Sequence, residues 1–295
     1  MSEHMRAGVI GLGAMGAPMA QRLAAAGLLA AVWNRTPARA REFAAAGGAP
    51  VAANPAELAR SGEVVIVSVS ADDDLKEVIE ALLPGVHPGL AVVDTSTVSA
   101  ATARAVAQRL KERGADFLDA PVSGGVEGAQ SGRLVMMVGG EAAVLTRVRP
   151  VLEALAARIV HLGPVGNGQA TKAVNQIMAA GINQAVTEAL AFGAAMNLPM
   201  DRVIEAVGSG AVGNWFLDHR GASMVAGRYT PGFRLALHHK DLRICRDMAR
   251  ALGVSLPVVE MTLLHYQRLI DAGHGDEDIS ALYRSKRQLF RKEAK

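Results

Sequence analysis

Short apolar runs alternate with alanine-rich stretches of helical period through the first half of the chain. AGVIG, LLAAVW, VVIVSV (64–69), LAVVDT (90–95), DFLDA (116–120) and LVMMVGG (134–140) read as buried strands. Between several of them lie helical stretches such as APMAQRLAAAG, closed by Gly27, and AATARAVAQRLKERG. Strands alternating with helices predict a largely parallel sheet covered on both faces. Beyond RIVHLGPVGNG no strand-like run recurs and helical spacing dominates. The pattern therefore predicts an α/β domain over 1–164 followed by an all-α domain over 165–295. In the latter, a long apolar helix is expected over about 167–196. Further helices are expected over about 200–208, 213–226, 235–252 and 256–272, with breaks at Gly210, Pro231, Gly253 and Gly273.

Composition narrows the function classes. With 295 residues, 50% of them hydrophobic and 20% charged, the chain can bury a sizeable core, which speaks against disorder. A single cysteine, Cys245, rules out an internal disulfide and suits a reducing compartment. The start, MSEHMRAGVIGLG, lacks the long apolar stretch and cleavage site of a leader, and no run reaches membrane-spanning length. A soluble, cytoplasmic protein is expected. The net charge of +3 raises the question of a nucleic-acid partner. Six of the 31 Lys and Arg, but one of the 28 Asp and Glu, fall within Arg284–Lys295, which leaves 25 against 27 in the rest. The basicity is local, and it reads as a solvated, unstructured end rather than a docking surface.

Gly11, Gly13 and Gly16 form GxGxxG (GLGAMG, with Leu12, Ala14 and Met15) directly after a strand and at the mouth of a helix. The glycines allow a tight turn, close approach to a pyrophosphate and close helix–strand packing, while the helix N-terminus attracts the phosphates. Turn glycines without a ligand are the plainer reading, but the strand–helix–strand context makes this a Rossmann domain. Where an NAD site would carry an acid at the end of the second strand, this chain has Asn34-Arg35-Thr36. Losing the acid removes repulsion against a 2′-phosphate, and Arg35 offers a forked cation. NADP is favoured, with NAD the alternative. An exposed helix-start residue is the plainer account of Arg35.

On a helical wheel Lys172, Asn175, Gln176, Asn183 and Thr187 share one face of the long helix, largely opposite Val174, Ile177, Met178, Gly181, Ala185 and Ala189. Ordinary wet faces are rich in Lys, Arg and Glu, whereas Lys172 is the single charge between Asn167 and Thr187. Amides flanking one ammonium resemble the lining of a cleft, where buried polar groups must be paired.

The segments GVIGLGAMGAPMA, DAPVSGGVEGAQSGRL, GNGQATKAVNQ and PGFRLALHHKDL together resemble the β-hydroxyacid dehydrogenase family, over about residues 8–284. That family includes 3-hydroxyisobutyrate dehydrogenase, tartronate semialdehyde reductase and the glyoxylate/succinate semialdehyde reductases. The resemblance implies a Rossmann domain followed by a 6-phosphogluconate dehydrogenase-like helical domain. It implies catalysis by Lys172, a substrate carboxylate held by Ser123, Gly124 and Gly125, and Asn175 and Gln176 bordering the same pocket. Lys240 would reach toward the nicotinamide, with Val69, Ser70 and Thr97 along the cofactor, and helical domains would pack into a homodimer or homotetramer. The family's usual pattern has asparagine where this chain has Gln176. Asn175-Gln176 resembles the tartronate semialdehyde reductases, whereas WNRT and DISALYR resemble the NADP-linked glyoxylate/succinate semialdehyde reductases.

The chemistry can also be argued from the residues. Backbone N–H groups at Ser123-Gly124-Gly125 can approach a carboxylate closely, although an ordinary turn would look the same. Hydride moves between nicotinamide C4 and a carbonyl carbon, and the Lys172 ammonium protonates the developing alkoxide. Burial is expected to lower the lysine pKa. The competing readings are a non-catalytic module of the same fold, which would have lost Lys172, and an imine reductase, which resembles members with Asp or Tyr at that position. His238 and His239 lack further ligands at zinc spacing, so no metal is expected. Trp215 and Phe216 are candidates for lining the substrate pocket, with core packing the favoured reading.

Overall fold

All four residues of the Val64–Val67 strand are buried, although successive side chains point to opposite faces. Its sheet must therefore be covered on both sides. The computed structural model describes residues 5–47 and 49–290, so residues 1–4 of the leader reading and 291–295 of the basic tail lie outside the described residues. The chain divides into two compact units, one through Lys172 and one from Ala173.

In the first unit, β1 (Ala7–Ile10), β2 (Leu29–Trp33), β3 (Val64–Val67), β4 (Ala91–Asp94) and β5 (Asp116–Asp119) form a parallel sheet in the order β2-β1-β3-β4-β5. The connections carry α1 (Gly16–Ala25), α2 (Pro37–Ala45), α3 (Pro55–Ala59), α4 (Asp72–Leu82) and α5 (Ala100–Lys111). Val9, Val64 and Ile66 pack with Met19 and Leu23 of α1 in one core. Ile10, Val65 and Val67 pack with Leu75 and Ile79 of α4 and Leu110 of α5 in another. The strand order reverses at β1, which opens a crevice at the carboxyl ends of the strands.

A second sheet of β6 (Val122–Ser123), β7 (Leu134–Val138) and β8 (Ala156–His161) follows, with α6 (Gly125–Ser131) and α7 (Ala142–Glu153) in its connections. It joins the first through backbone bonds from Asp119 N to Gly139 O (3.1 Å) and from Gly139 N to Asp119 O (2.8 Å). The apolar pattern did not mark β6, which is two residues long, or β8, whose Ala157, Arg158, Val160 and His161 are exposed.

Helix α8 (Asn167–Ala195) begins in the first unit and continues into the second. Then come α9 (Met200–Gly208), α10 (Trp215–Val225), α11 (Leu235–Ala251), α12 (Pro257–Asp271) and α13 (Leu282–Gln288). The expected helices match these within two residues at each end. Helix α13 overturns the unstructured tail as far as Gln288. Lys286 is 3% exposed and its Nζ lies 2.6 Å from Glu188 Oε2. Arg284 bonds both oxygens of Glu277 and lies over the Tyr229 ring. These charges are held by partners that a local charge count does not link to them.

The long helix turns its polar side inward. Asn183 and Thr187 are fully buried, whereas Val174, Met178 and Phe192 are exposed. Asn183 Nδ2 donates to Tyr266 Oη (2.7 Å) and Ile279 O (2.8 Å), and Thr187 Oγ1 donates to Asn183 O (2.6 Å). Asn183 and Thr187 thus belong to the packed interior of the second unit rather than to a cleft. Phe216 is buried as expected, but Trp215 is 58% exposed and stacks on His219, because the first turn of α10 points it outward. No helix among the described residues is long and apolar enough to cross a membrane.

Candidate active site

In the first unit the cofactor candidates gather at the carboxyl ends of four neighbouring strands. Gly11 follows β1 with φ +93°, and a Cβ there would collide with the Ser68 carbonyl oxygen. A Cβ on Gly16, the first residue of α1, would collide with the carbonyl oxygen of Gly11. Gly13 has open space around it, which suits close approach of a phosphate. Ala14 and Met15 complete the turn, and α1 begins without a side-chain cap.

Asn34, at the end of β2, is bonded to backbone on both sides. Its Oδ1 accepts from Leu12 N (2.8 Å) and its Nδ2 donates to Thr36 O (3.0 Å), so it fastens the glycine turn to the end of β2. Arg35 is two-thirds exposed and pairs with Asp74, Nη1 to Oδ1 2.6 Å. Val69 and Ser70 follow β3 and Thr97 follows β4, and Val69 N donates to Ser96 Oγ (2.8 Å).

Lys172 is buried to 7% exposure, and its Nζ donates to the Val122 carbonyl oxygen at 2.8 Å. Val122 immediately precedes Ser123-Gly124-Gly125, so the ammonium sits beside the turn proposed for a carboxylate. Gly124 and Gly125 have φ of +125° and +62°, a left-handed pair that side chains rarely adopt.

Two residues outside the predicted set fasten the start of the helix that carries this lysine. Asp119 ends β5, fully buried, and its Oδ1 and Oδ2 accept from Gly166 N and Gln169 N, both at 2.8 Å, at the start of α8. Burial pushes its carboxyl above the usual range, while those two N–H groups pull it down. Gln169 Nε2 donates to Ser96 O (2.8 Å) and its Oε1 accepts from Val98 N (3.2 Å), which ties the loop around Thr97 to α8. A buried acid at the end of a strand-like run, in DFLDA, was the available signal for Asp119.

In the second unit, Asn175 Nδ2 donates to Gln176 Oε1 (2.8 Å) and Gln176 Nε2 donates to Asp241 Oδ2 (2.6 Å). Lys240 Nζ lies 2.8 Å from Asp241 Oδ1, so a single carboxylate links three predicted residues. Asp241 lies three residues after His238 on the buried stripe of α11, a spacing the sequence already displays. His238 is engaged by Tyr266 Oη at its Nδ1 (3.1 Å) and by Gln176 O at its Nε2 (3.2 Å).

The reversed strand order with its glycine turn, followed by a helical unit, defines an NAD(P)-binding protein of the Rossmann class. Residues 6–163 match the NAD binding domain of 6-phosphogluconate dehydrogenase, and residues 166–285 match the NAD-binding domain of NADP-dependent 3-hydroxyisobutyrate dehydrogenase. The chain is 36% identical to 2-hydroxy-3-oxopropionate reductase of Escherichia coli over 86% of its length and 87% of that protein's. It is 35% identical to the NAD-dependent L-serine dehydrogenase of Pseudomonas aeruginosa, covering 92% and 95%. The solved structure of Mycobacterium tuberculosis 3-hydroxyisobutyrate dehydrogenase with L-serine has a TM-score of 0.87 at 32% identity, covering 96% and 99%. The chain belongs to the β-hydroxyacid dehydrogenase family, and it is an NAD(P)-dependent oxidoreductase acting on CH–OH groups.

Proposed function

We propose that the protein is an NADP(H)-preferring reductase or dehydrogenase of small semialdehydes and their hydroxyacids, with Lys172 as general acid and base. The observation that carries this reading is the buried Lys172 ammonium, held by Val122 O at 2.8 Å next to the Ser123-Gly124-Gly125 turn. A bound nicotinamide supplies the hydride to the carbonyl carbon, or takes it in the reverse direction. Backbone N–H groups of the turn hold the substrate carboxylate. Lys172 Nζ gives its proton to the oxygen that becomes the hydroxyl, and the neutral amine takes it back during oxidation. Roles for Asn175 and Gln176 toward the substrate and for Lys240 toward the nicotinamide rest on the family resemblance. Their shared link to Asp241 supports treating them as one group. A panel of C2 to C4 semialdehydes and hydroxyacids, assayed with both cofactors, tests the reading. Failure to turn over any of them would sink it.

Cofactor preference rests on Asn34-Arg35-Thr36 and the missing acid. NADPH is expected to give the higher kcat/KM; equal or better efficiency with NADH would refute this. Arg35→Ala should weaken NADPH by about 1–3 kcal/mol, the range of a charge-assisted hydrogen bond, with a much smaller effect on NADH.

The outward apolar side of α8, with Val174, Met178 and Phe192 all more than half exposed, supports a homodimer or a homotetramer. Sedimentation at micromolar concentration should find multiples of the 30.7 kDa chain, and a 30.7 kDa species alone would count against the reading.

A further inference from the structure

Three consecutive aspartates open α4, and each has its own partner. Asp72 Oδ1 accepts from Ser99 N (3.0 Å) and Ser99 Oγ (2.6 Å), and Asp73 pairs with Lys76 at 3.0 Å. Asp74 Oδ1 lies 2.6 Å from Arg35 Nη1, and Glu77 Oε2 lies 3.7 Å from the same nitrogen. Arg35 follows β2 and Asp74 follows β3, with β1 between those strands. The ion pair therefore spans the carboxyl end of the strand that carries the glycine turn.

We propose that Asp74 is a specificity-determining residue, which restrains the preference for a 2′-phosphorylated dinucleotide by competing with that phosphate for Arg35. This rests on the reading that Arg35 meets the 2′-phosphate. To bind NADPH the guanidinium must leave Asp74 or share itself between two anions. In the second case a carboxylate and a phosphate dianion are held close together, which disfavours the complex. NADH has no 2′-phosphate, so its binding leaves the Arg35–Asp74 pair undisturbed. Asp74 therefore acts on the choice between cofactors rather than on both alike. An acid in the first turn also favours the helix through the peptide dipoles. That structural role predicts no difference between cofactors, which is what separates it from the proposal.

The test compares wild type, Asp74→Asn, Arg35→Ala and the double variant, reading kcat/KM and Kd for NADPH and NADH at fixed salt, with melting temperature alongside. Asp74→Asn should raise the NADPH:NADH ratio about two- to fivefold, the factor a surface ion pair corresponds to. The gain should vanish in the Arg35→Ala background. An unchanged or lower ratio in Asp74→Asn, or an equal gain in both backgrounds, overturns the inference. If Arg35→Ala lowers the ratio while Asp74→Asn does not raise it, the Arg35 reading stands and this inference alone fails. If Arg35→Ala leaves the ratio unchanged, both fail.

Discussion

Lys172→Ala is expected to lower kcat by at least the ~10²–10⁴-fold that a positioned acid or base contributes, while NADPH Kd stays close to that of wild type. The loss grows if the ammonium also steadies charge in the transition state. Cofactor affinity should survive because the phosphate-binding candidates, Gly11–Gly16 and Arg35, sit after β1 and β2, whereas Lys172 is held at Val122 in β6. A lysine with a purely structural role would instead lower the melting temperature and weaken both ligands together. A surface lysine would cost nothing, but the 7% exposure already speaks against that. Measuring kcat, NADPH Kd and melting temperature on this one variant separates the outcomes, and turnover at the wild-type rate would end the mechanism.

Asp119→Ala should carry the largest stability effect, about 2–4 kcal/mol. It strips the acceptors from two backbone N–H groups at the buried start of α8, each of which costs about 1–3 kcal/mol when left unpaired. Removing a carboxylate that burial already disfavours offsets part of this. The gap also has no room to adjust. A Cβ on Gly168 would press on backbone oxygens of Asp119 and Met137, and a Cβ on Gly139 would press on the Asp119 carboxylate. The melting temperature should fall by about 5–15 °C for a unit of this size. At a temperature where the variant remains folded, kcat should also fall about tenfold or more, because Lys172 lies within two turns of the released helix start. Asp119→Asn keeps one acceptor and should lie between wild type and alanine. A melting temperature within about 2 °C of wild type would remove Asp119 from the account.

How far the chain could be read without its fold differs from one element to the next. GxGxxG after an apolar run determines a tight strand-to-helix turn, because the need for positive φ at Gly11 and for a bare Cα at Gly16 is local to that turn. The ends of α8 to α12 were legible to within two residues, since glycines, prolines and the helical period of apolar residues are local signals too. Lys172 was legible as a candidate because one cation in an uncharged polar stripe is an anomaly of pattern. The tertiary structure alone decided the partners. Val122 lies 50 residues from Lys172, Asp119 lies 50 from Gln169, Asp241 lies 65 from Gln176 and Glu188 lies 98 from Lys286. Such pairs are selected by chain crossings and by the cost of leaving a buried polar group unpaired, and neither leaves a periodic trace in sequence. The same reason explains Asn34 and Arg35. Their place after β2 was readable, but their bonds to Leu12 and Asp74 depend on β1 and α4 arriving beside them.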